Sequence, residues 1–285
     1  MLKLKFDSFW KGFNYENNFF TNLLKSYDIK YEIVDQNPHI LIFSPLRREE
    51  YIGKHIIQRW NHVKKIFYTG ENNRPRRDVE LNLTFDLTKK YNNFRFPLWI
   101  IYFYRTNLKT NFTLKNNDAS GFCSFVYSRG TSFRKQIYSE FKKYKLLGSG
   151  GGLLNNVGGK VKNKIDFQRK YKFCLAIEHT NYPGYTTEKI FEAFLSNSIP
   201  IYFGSDKVVE DFNKETFINA NDFKSIKEVL EYVKKVDNDN NLYNSYMNKH
   251  VLTKKWIDNF DSKKYYKNLL DKILEGIDLK KINKN

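Results

Sequence analysis

Residues 171–204, YKFCLAIEHTNYPGYTTEKIFEAFLSNSIPIYFG, contain one complete strand–loop–helix–strand unit. FCLAIE (173–178) and IPIYFG (199–204) are short continuous apolar runs, the pattern of strands buried on both faces. Between them Pro183 and Gly184 make a loop, and Thr186 or Thr187 offers an N-cap. Ile190, Phe191, Phe194 and Leu195 then follow at helical spacing, so 186–196 reads as a helix packed on the sheet. A βαβ unit of this kind belongs to a mostly parallel sheet covered by helices.

The same rhythm runs outward in both directions. Upstream, LKLKF (2–6), KYEIV (30–34), HILIFS (39–44), KKIFYTG (64–70) and LNLTFDL (81–87) read as strands, and 16–27 as a helix. A mixed segment around 48–61 is expected to be helical. Residues 105–120 are polar and Asn-rich, without periodicity, and read as a linker. The alternation then restarts with a strand at 122–128, a basic helix at 131–144 opened by Thr131 or Ser132, and a glycine-rich loop at 148–152. Short helical patterns follow at 164–170, 222–235 and 262–275, and ETFINA (215–220) is extended. The expected fold class is α/β, with two Rossmann-like βαβ domains facing an interdomain cleft. The expected boundaries are 1–115, 116–250 and a helical tail, 251–285, that packs back or lies on a membrane. In such architectures ligands sit outside the carboxyl ends of the strands.

Composition narrows the partners. The chain has 285 residues and a net charge of +18. At 41% hydrophobic it can bury a sizeable core, which excludes disorder as its main state. Residues 129–172 carry twelve basic side chains against two acids, over half of the net charge. An anion is therefore an expected ligand: a phosphorylated small molecule, nucleic acid or an acidic membrane. Cys123 and Cys174 lie in apolar runs and read as buried thiols in a reducing compartment, not as a disulfide framework. The N-terminus lacks an apolar h-region, and no run of about 18 apolar residues occurs. A cytoplasmic location is the expectation, peripheral at the inner face of an anionic membrane.

Glu178–Asn213 carries the chemistry. A strand end, a loop and a helix whose first turn holds Glu188 and Lys189 make a natural diphosphate site, because the helix N-terminus presents N–H groups and partial positive charge. Glu188 can accept from sugar hydroxyls, and Tyr185 can donate its O–H to phosphate. The same residues also suit an ordinary capped helix on a sheet. The glycine loop fits neither the dinucleotide fingerprint, because Leu153 stands where its last glycine would be, nor a P-loop. It reads as a permissive loop with Gly150, Gly151 and Asn155 as candidate ligand contacts. Asp237-Asn238-Asp239 has the look of a D-x-D metal motif but reads as a solvated turn, so no metal site is expected.

Taken together, Tyr171-Lys172-Phe173, Glu178, Tyr185-Thr186-Thr187-Glu188-Lys189-Ile190, Ile199-Pro200-Ile201-Tyr202, Gly204-Ser205 and Asp211-Phe212-Asn213 resemble the donor-binding motif of the α1,3/α1,4-fucosyltransferases, glycosyltransferase family 10. Phe67–Asn72, FYTGEN, is similar to the family's acceptor-domain motif, Phe96-Pro97-Leu98 to its R-x-P-L segment, and Ser124 through Arg134 to a strand and helix bearing a phosphate-contacting Arg. The resemblance covers about residues 64–225. It implies a GT-B fold, GDP-fucose as donor with no obligatory cofactor, and inverting transfer of L-fucose to a GlcNAc-containing glycan, α1,3 linkage being expected. By that resemblance Glu71 is the base, Arg134 and Lys189 stabilise the GDP leaving group, and Glu178, His179, Tyr185 and Glu188 line the donor site. His179 departs from the family's usual Asn at that position, which leaves the contact made there open. Two other readings stand beside this one: a basic nucleic-acid binder without a known motif, and a transferase using another sugar nucleotide.

Overall fold

The computed structural model describes residues 1–45, 56–116 and 118–282. Most of the stretch expected to be helical around 48–61 lies outside the described residues. The chain divides into two compact units, one made of Met1–Asn107 with Asp258–Asn285, the other of Leu108–Ile257.

The first unit is built on a six-stranded sheet of β1 (Leu2–Asp7), β2 (Tyr31–Ile33), β3 (Ile40–Phe43), β4 (Lys64–Tyr68), β5 (Leu81–Thr84) and β6 (Asn93–Arg95). Their order is β2-β1-β3-β4-β5-β6, and every pairing is parallel. The central strands are buried throughout, which is why ILIF shows no alternation. Helix α1 (Phe19–Lys25) starts where Asn18 accepts from the N–H groups of Phe20 and Thr21, while the Thr21 hydroxyl accepts from the Asn18 N–H. It buries Phe19, Phe20, Leu23 and Leu24. Helix α2 (Trp99–Thr106) is anchored by fully buried Trp99 and ends at Asn107 in the left-handed region. The helix expected at 262–275 runs from Lys264 to Leu274 and packs within this unit. The Tyr265 hydroxyl donates to the Arg95 carbonyl at 2.7 Å, and the Lys64 ammonium donates to the carbonyls of Lys272 and Glu275 at 2.8 and 2.5 Å. A lysine on the last carbonyls of a helix suits its negative end.

The second unit carries a five-stranded parallel sheet of β7 (Gly121–Phe125), β8 (Leu147–Ser149), β9 (Tyr171–Ile177), β10 (Ile199–Phe203) and β11 (Ile218–Asn219). The order is β11-β10-β9-β7-β8. After β7 the chain moves to one side to lay down β8, then crosses back to lay down β9, β10 and β11 on the other. The direction reverses between β7 and β9, and the crevice outside their carboxyl ends is where an open α/β sheet binds ligands. Helix α3 (Ser132–Lys142) follows β7, with Thr131 accepting from the Arg134 N–H. Helix α4 (Lys164–Gln168) precedes β9, α5 (Glu188–Leu195) follows it, and α6 (Ile226–Asn238) closes the sheet's cover. Cys123 and Cys174 are free and buried. Among the described residues no helix is long and apolar enough to cross a membrane.

Asp237-Asn238-Asp239 is not the solvated turn its polarity implied. The Asp237 side chain is 2% exposed and accepts from Lys145 at 2.5 Å, Lys172 at 2.6 Å and the Tyr144 hydroxyl at 3.0 Å. Lys145 and Lys172 stand at the entrances to β8 and β9, so this cluster ties the end of α6 to the amino edge of the sheet, opposite the crevice. Asp239 caps the next helix by accepting from the N–H groups of Asn241 and Leu242. Burial alone would raise the Asp237 pKa, but the two lysines outweigh it and hold the carboxyl below its usual range. The stabilisation is therefore present above the unfolded-state value near 3.9 and lost as pH falls through the lower folded-state value. Asp237→Asn should cost about 2–3 kcal/mol at pH 7, less than a wholly buried pair because Lys145 keeps contact with water. In denaturant titrations the gap from wild type should narrow progressively below about pH 4.

Candidate donor site

At the crevice, the first residue beyond β9 is Glu178. Its side chain is fully buried, yet its oxygens are occupied: Oε1 accepts from the Thr187 N–H at 2.8 Å and both oxygens accept from the Thr187 hydroxyl at 2.9 and 2.8 Å. Lys189 Nζ lies 3.1 Å from Glu178 Oε2, 2.8 Å from the Thr187 hydroxyl and 3.3 Å from Glu188 Oε1. Thr187 stands at the N-cap position of α5, but its hydroxyl makes no cap bond to the helix; it donates to Glu178 instead. The carboxylate that finishes one strand thus fixes the start of the following helix.

Burial by itself would lower the Lys189 pKa, but the carboxylates of Glu178 and Glu188 more than offset it and raise the pKa above its ordinary value. Glu188 is likewise held below its ordinary range: burial pushes it up, and Lys189 and Lys164 pull it further down. Lys189 remains a cation, with a side chain 15% exposed.

Arg134 comes from the first turn of α3 and is 5% exposed. It donates to the carbonyls of Arg129 at 3.2 Å and Ile177 at 3.0 Å, so it is bound to the carboxyl end of β9. Its Nε is buried without a partner among the described residues. The guanidinium lies 4.2 Å from the centroid of the Tyr127 ring. Tyr127 is itself a strut: its hydroxyl donates to the Leu175 carbonyl and accepts from the Ile177 N–H. Sequence reasoning missed Tyr127; it lay inside the run read as a strand over 122–128, whereas β7 ends at Phe125.

Arg134, Glu178, Glu188 and Lys189 therefore come together in one unit. His179 and Tyr185 are placed differently. His179 is exposed and lines a cavity of ≈ 260 Å³ with Glu178, Thr180, Phe133, Gly204 and Asn221. The Thr180 hydroxyl is buried without a partner among the described residues. Tyr185 is buried to 2% exposure, beneath the loop rather than at its surface. Ser205 holds that loop by accepting from the Gly184 N–H at 2.8 Å.

The glycine loop is shaped by packing. A Cβ on Gly151 would fall 2.0 Å from the Tyr127 carbonyl oxygen, so only glycine lets the loop cross this backbone, where the Leu153 N–H donates to the same oxygen. At Gly150 a Cβ would meet Val161 and Phe167. Asn155 is already engaged: its amide donates to the carbonyls of Gly151 and Gly159 and its oxygen accepts from the Val157 and Gly159 N–H groups. Asp211-Phe212-Asn213 is also structural, since Asp211 accepts from the Trp256 indole at 3.0 Å and the Asn213 amide donates to the His250 carbonyl.

Glu71 belongs to the other unit, three residues past β4. It is exposed, and its backbone is fixed by Thr69, whose hydroxyl accepts from the Glu71 N–H and donates to the Glu71 carbonyl.

A family model described as glycosyltransferase family 10 (fucosyltransferase), C-terminal part, matches residues 115–272. A second, described as the α-(1,3)-fucosyltransferase FucT N-terminal domain, matches residues 4–102. The chain belongs to glycosyltransferase family 10. It is similar to the α-(1,3)-fucosyltransferase FucT of Helicobacter pylori, 33% identical over 221 residues, which is 65% of this chain and 46% of that protein. It is also similar to the mouse 4-galactosyl-N-acetylglucosaminide 3-α-L-fucosyltransferase 9, 37% identical over 91 residues, 30% of this chain and 25% of that protein. The chain thus spans less than half the length of these curated relatives. A crystal structure of an α1,3-fucosyltransferase with GDP-fucose matches with a TM-score of 0.75 and 25% identity, over 98% of this chain and 91% of that one. Another, with GDP, has a TM-score of 0.79 at 24% identity over 96% and 91%, and shares the fold. The fold is of the GT-B type.

Because Glu178 is a cap as well as a counter-ion, Glu178→Gln should lower the thermal stability of the apo protein by about 1.5–3 kcal/mol, the worth of hydrogen bonds to a charged group. A ligand-only role for Glu178 would leave the apo melting curve unmoved.

Proposed function

We propose that this chain is an inverting fucosyltransferase that moves L-fucose from GDP-fucose to a hydroxyl of a GlcNAc-containing glycan in α1,3 linkage. The observation that carries this reading is the convergence of Arg134, Lys189 and the N-terminus of α5 at the reversal point of the second sheet. Family membership and the activities of the similar proteins support it.

In this mechanism the diphosphate lies against Lys189 and the Arg134 guanidinium. The purine end enters the cavity of ≈ 260 Å³ beside His179, where the Thr180 hydroxyl offers a free polar atom. Glu71 takes the proton of the acceptor hydroxyl as that oxygen attacks the anomeric carbon of fucose. The bond from the anomeric carbon to the β-phosphate oxygen breaks, and GDP leaves with the electron pair. The developing negative charge is met by cations already fixed in place, so little reorganisation is needed at the moment of reaction. Lys189 suits this role because its carboxylate partners keep it charged despite burial.

Glu71→Gln should fold as wild type and lose transfer by about 10²–10⁴-fold. Unchanged turnover would refute Glu71 as the base. Lys189→Ala should weaken GDP binding in calorimetry by at least about tenfold, a cost of ~1.4 kcal/mol. Titration of GDP-fucose, GDP-mannose and UDP-sugars tests the donor: tighter binding of a UDP-sugar would replace GDP-fucose as the assignment.

A further inference from the structure

The segment between β1 and α1, SFWKGFNYENN (8–18), has no role in the donor site and leaves large rings in water. Trp10 is 43% exposed and Tyr15 47%. These rings are nevertheless held firmly. Phe9 and Phe13 stack with centroids 4.0 Å apart and planes 18° from parallel. Trp10 packs edge-on against both, at 5.7 and 4.9 Å, and Tyr15 against Phe13 and Phe6 at 5.6 and 6.1 Å. The cluster is tied to the sheet through Phe9, which stacks on Tyr68 at 6.1 Å with planes 15° apart. Tyr68 is the last residue of β4, 2% exposed and wedged against Phe20 and Phe96.

The parallel sheet decides what this cluster adjoins. β1 and β4 run the same way, so the loop bearing Trp10 and the loop bearing Glu71 leave from the same carboxyl edge. Glu71 is three residues beyond the Tyr68 ring on which Phe9 rests.

We propose that Trp10, braced by Phe9 and Phe13 with Tyr15 alongside, is a stacking platform for a pyranose ring of the acceptor glycan. This rests on the proposed fucosyl transfer. A pyranose presents C–H bonds on one face and hydroxyls at its rim. It can cover an indole while its polar edge stays wet, the pairing that a half-exposed, rigid aromatic residue favours. The platform is already ordered by its neighbours, so little side-chain freedom is lost when a sugar settles on it. Its place puts a sugar held there on the same edge of the sheet that carries Glu71.

The test uses the full chain, GDP-fucose and N-acetyllactosamine. Trp10→Ala should raise the KM for the disaccharide about five- to tenfold, with the Kd for GDP-fucose unchanged and Trp10→Phe keeping part of the effect. Saturation-transfer NMR with N-acetyllactosamine alone should show sugar C–H contacts in the wild type and in Glu71→Gln, and their loss in Trp10→Ala. The NMR readout needs no turnover, so it separates this proposal from the assignment of Glu71 and from transfer itself. A Trp10→Ala protein that binds the disaccharide as the wild type does would overturn the platform. So would a wild type that shows no contact with it. A matching melting temperature excludes misfolding of the variant as the cause of any loss.

Discussion

Everything at the proposed donor site depends on one buried carboxylate. Glu178 sits at the end of β9, takes the N–H and hydroxyl of Thr187, and holds Lys189 at 3.1 Å. An isolated lysine at this depth would tend to lose its proton, since burial disfavours the charged form. With Glu178 and Glu188 beside it the charge stays. The same contact sets where α5 begins, so the helix terminus and the ammonium are placed by a single group. The register of the strand pair is transmitted too: Ile177 lies opposite Phe203, and Gly204 follows at a point where a Cβ would fall 2.8 Å from the Glu178 side chain. Tyr-Thr-Thr-Glu-Lys and Gly-Ser, far apart in the chain, are two halves of one packing problem.

Part of the positive charge of residues 129–172 is engaged by the fold of the second unit. Lys145 and Lys172 neutralise Asp237 at the amino edge, Lys164 pairs with Glu192 at 2.5 Å, and Arg134 donates to the carbonyls of Arg129 and Ile177 at the crevice. A continuous basic stripe, the feature a nucleic-acid backbone would follow, needs these groups free and on one face. Here several are engaged by carboxylates or carbonyls of the fold, and Lys189 stands with Arg134 at the crevice. Net charge pointed to an anion as a class of ligand but said nothing of where on the molecule one would bind.

What could be read in the sequence follows the range of the interactions involved. The parallel sheets were legible because burial on both faces writes continuous apolar runs such as ILIF and FCLAI. The helix expected over 186–196 is Glu188–Leu195, and that expected over 131–144 is Ser132–Lys142, because periodicity and caps are local. The helix expected at 222–235 instead starts at Ile226, after a short 3₁₀ turn and Ser225, whose hydroxyl caps it. The roles of Asp237, Asn155 and Gly151 were not legible. Asp237 and Gly151 depend on partners brought close by tertiary folding, two lysines at the entrances to other strands and the backbone of Tyr127, while Asn155 depends on the conformation of its own loop, whose carbonyls of Gly151 and Gly159 it binds.

The motif-bearing residues show the same division on a finer scale. The resemblance made Lys189 a stabiliser of the leaving group and grouped Glu178, Tyr185 and Glu188 as lining, whereas the geometry separates them. Lys189 and Glu188 stand at the helix start with partly accessible side chains, Glu178 is sealed behind them, and Tyr185 is buried under the loop. A residue can thus belong to a binding motif by holding the residue that binds. The exposed His179 is the opposite case: it faces the cavity and carries no constraint from the clasp behind it, so a change of residue type there leaves the Glu178–Thr187–Lys189 arrangement intact.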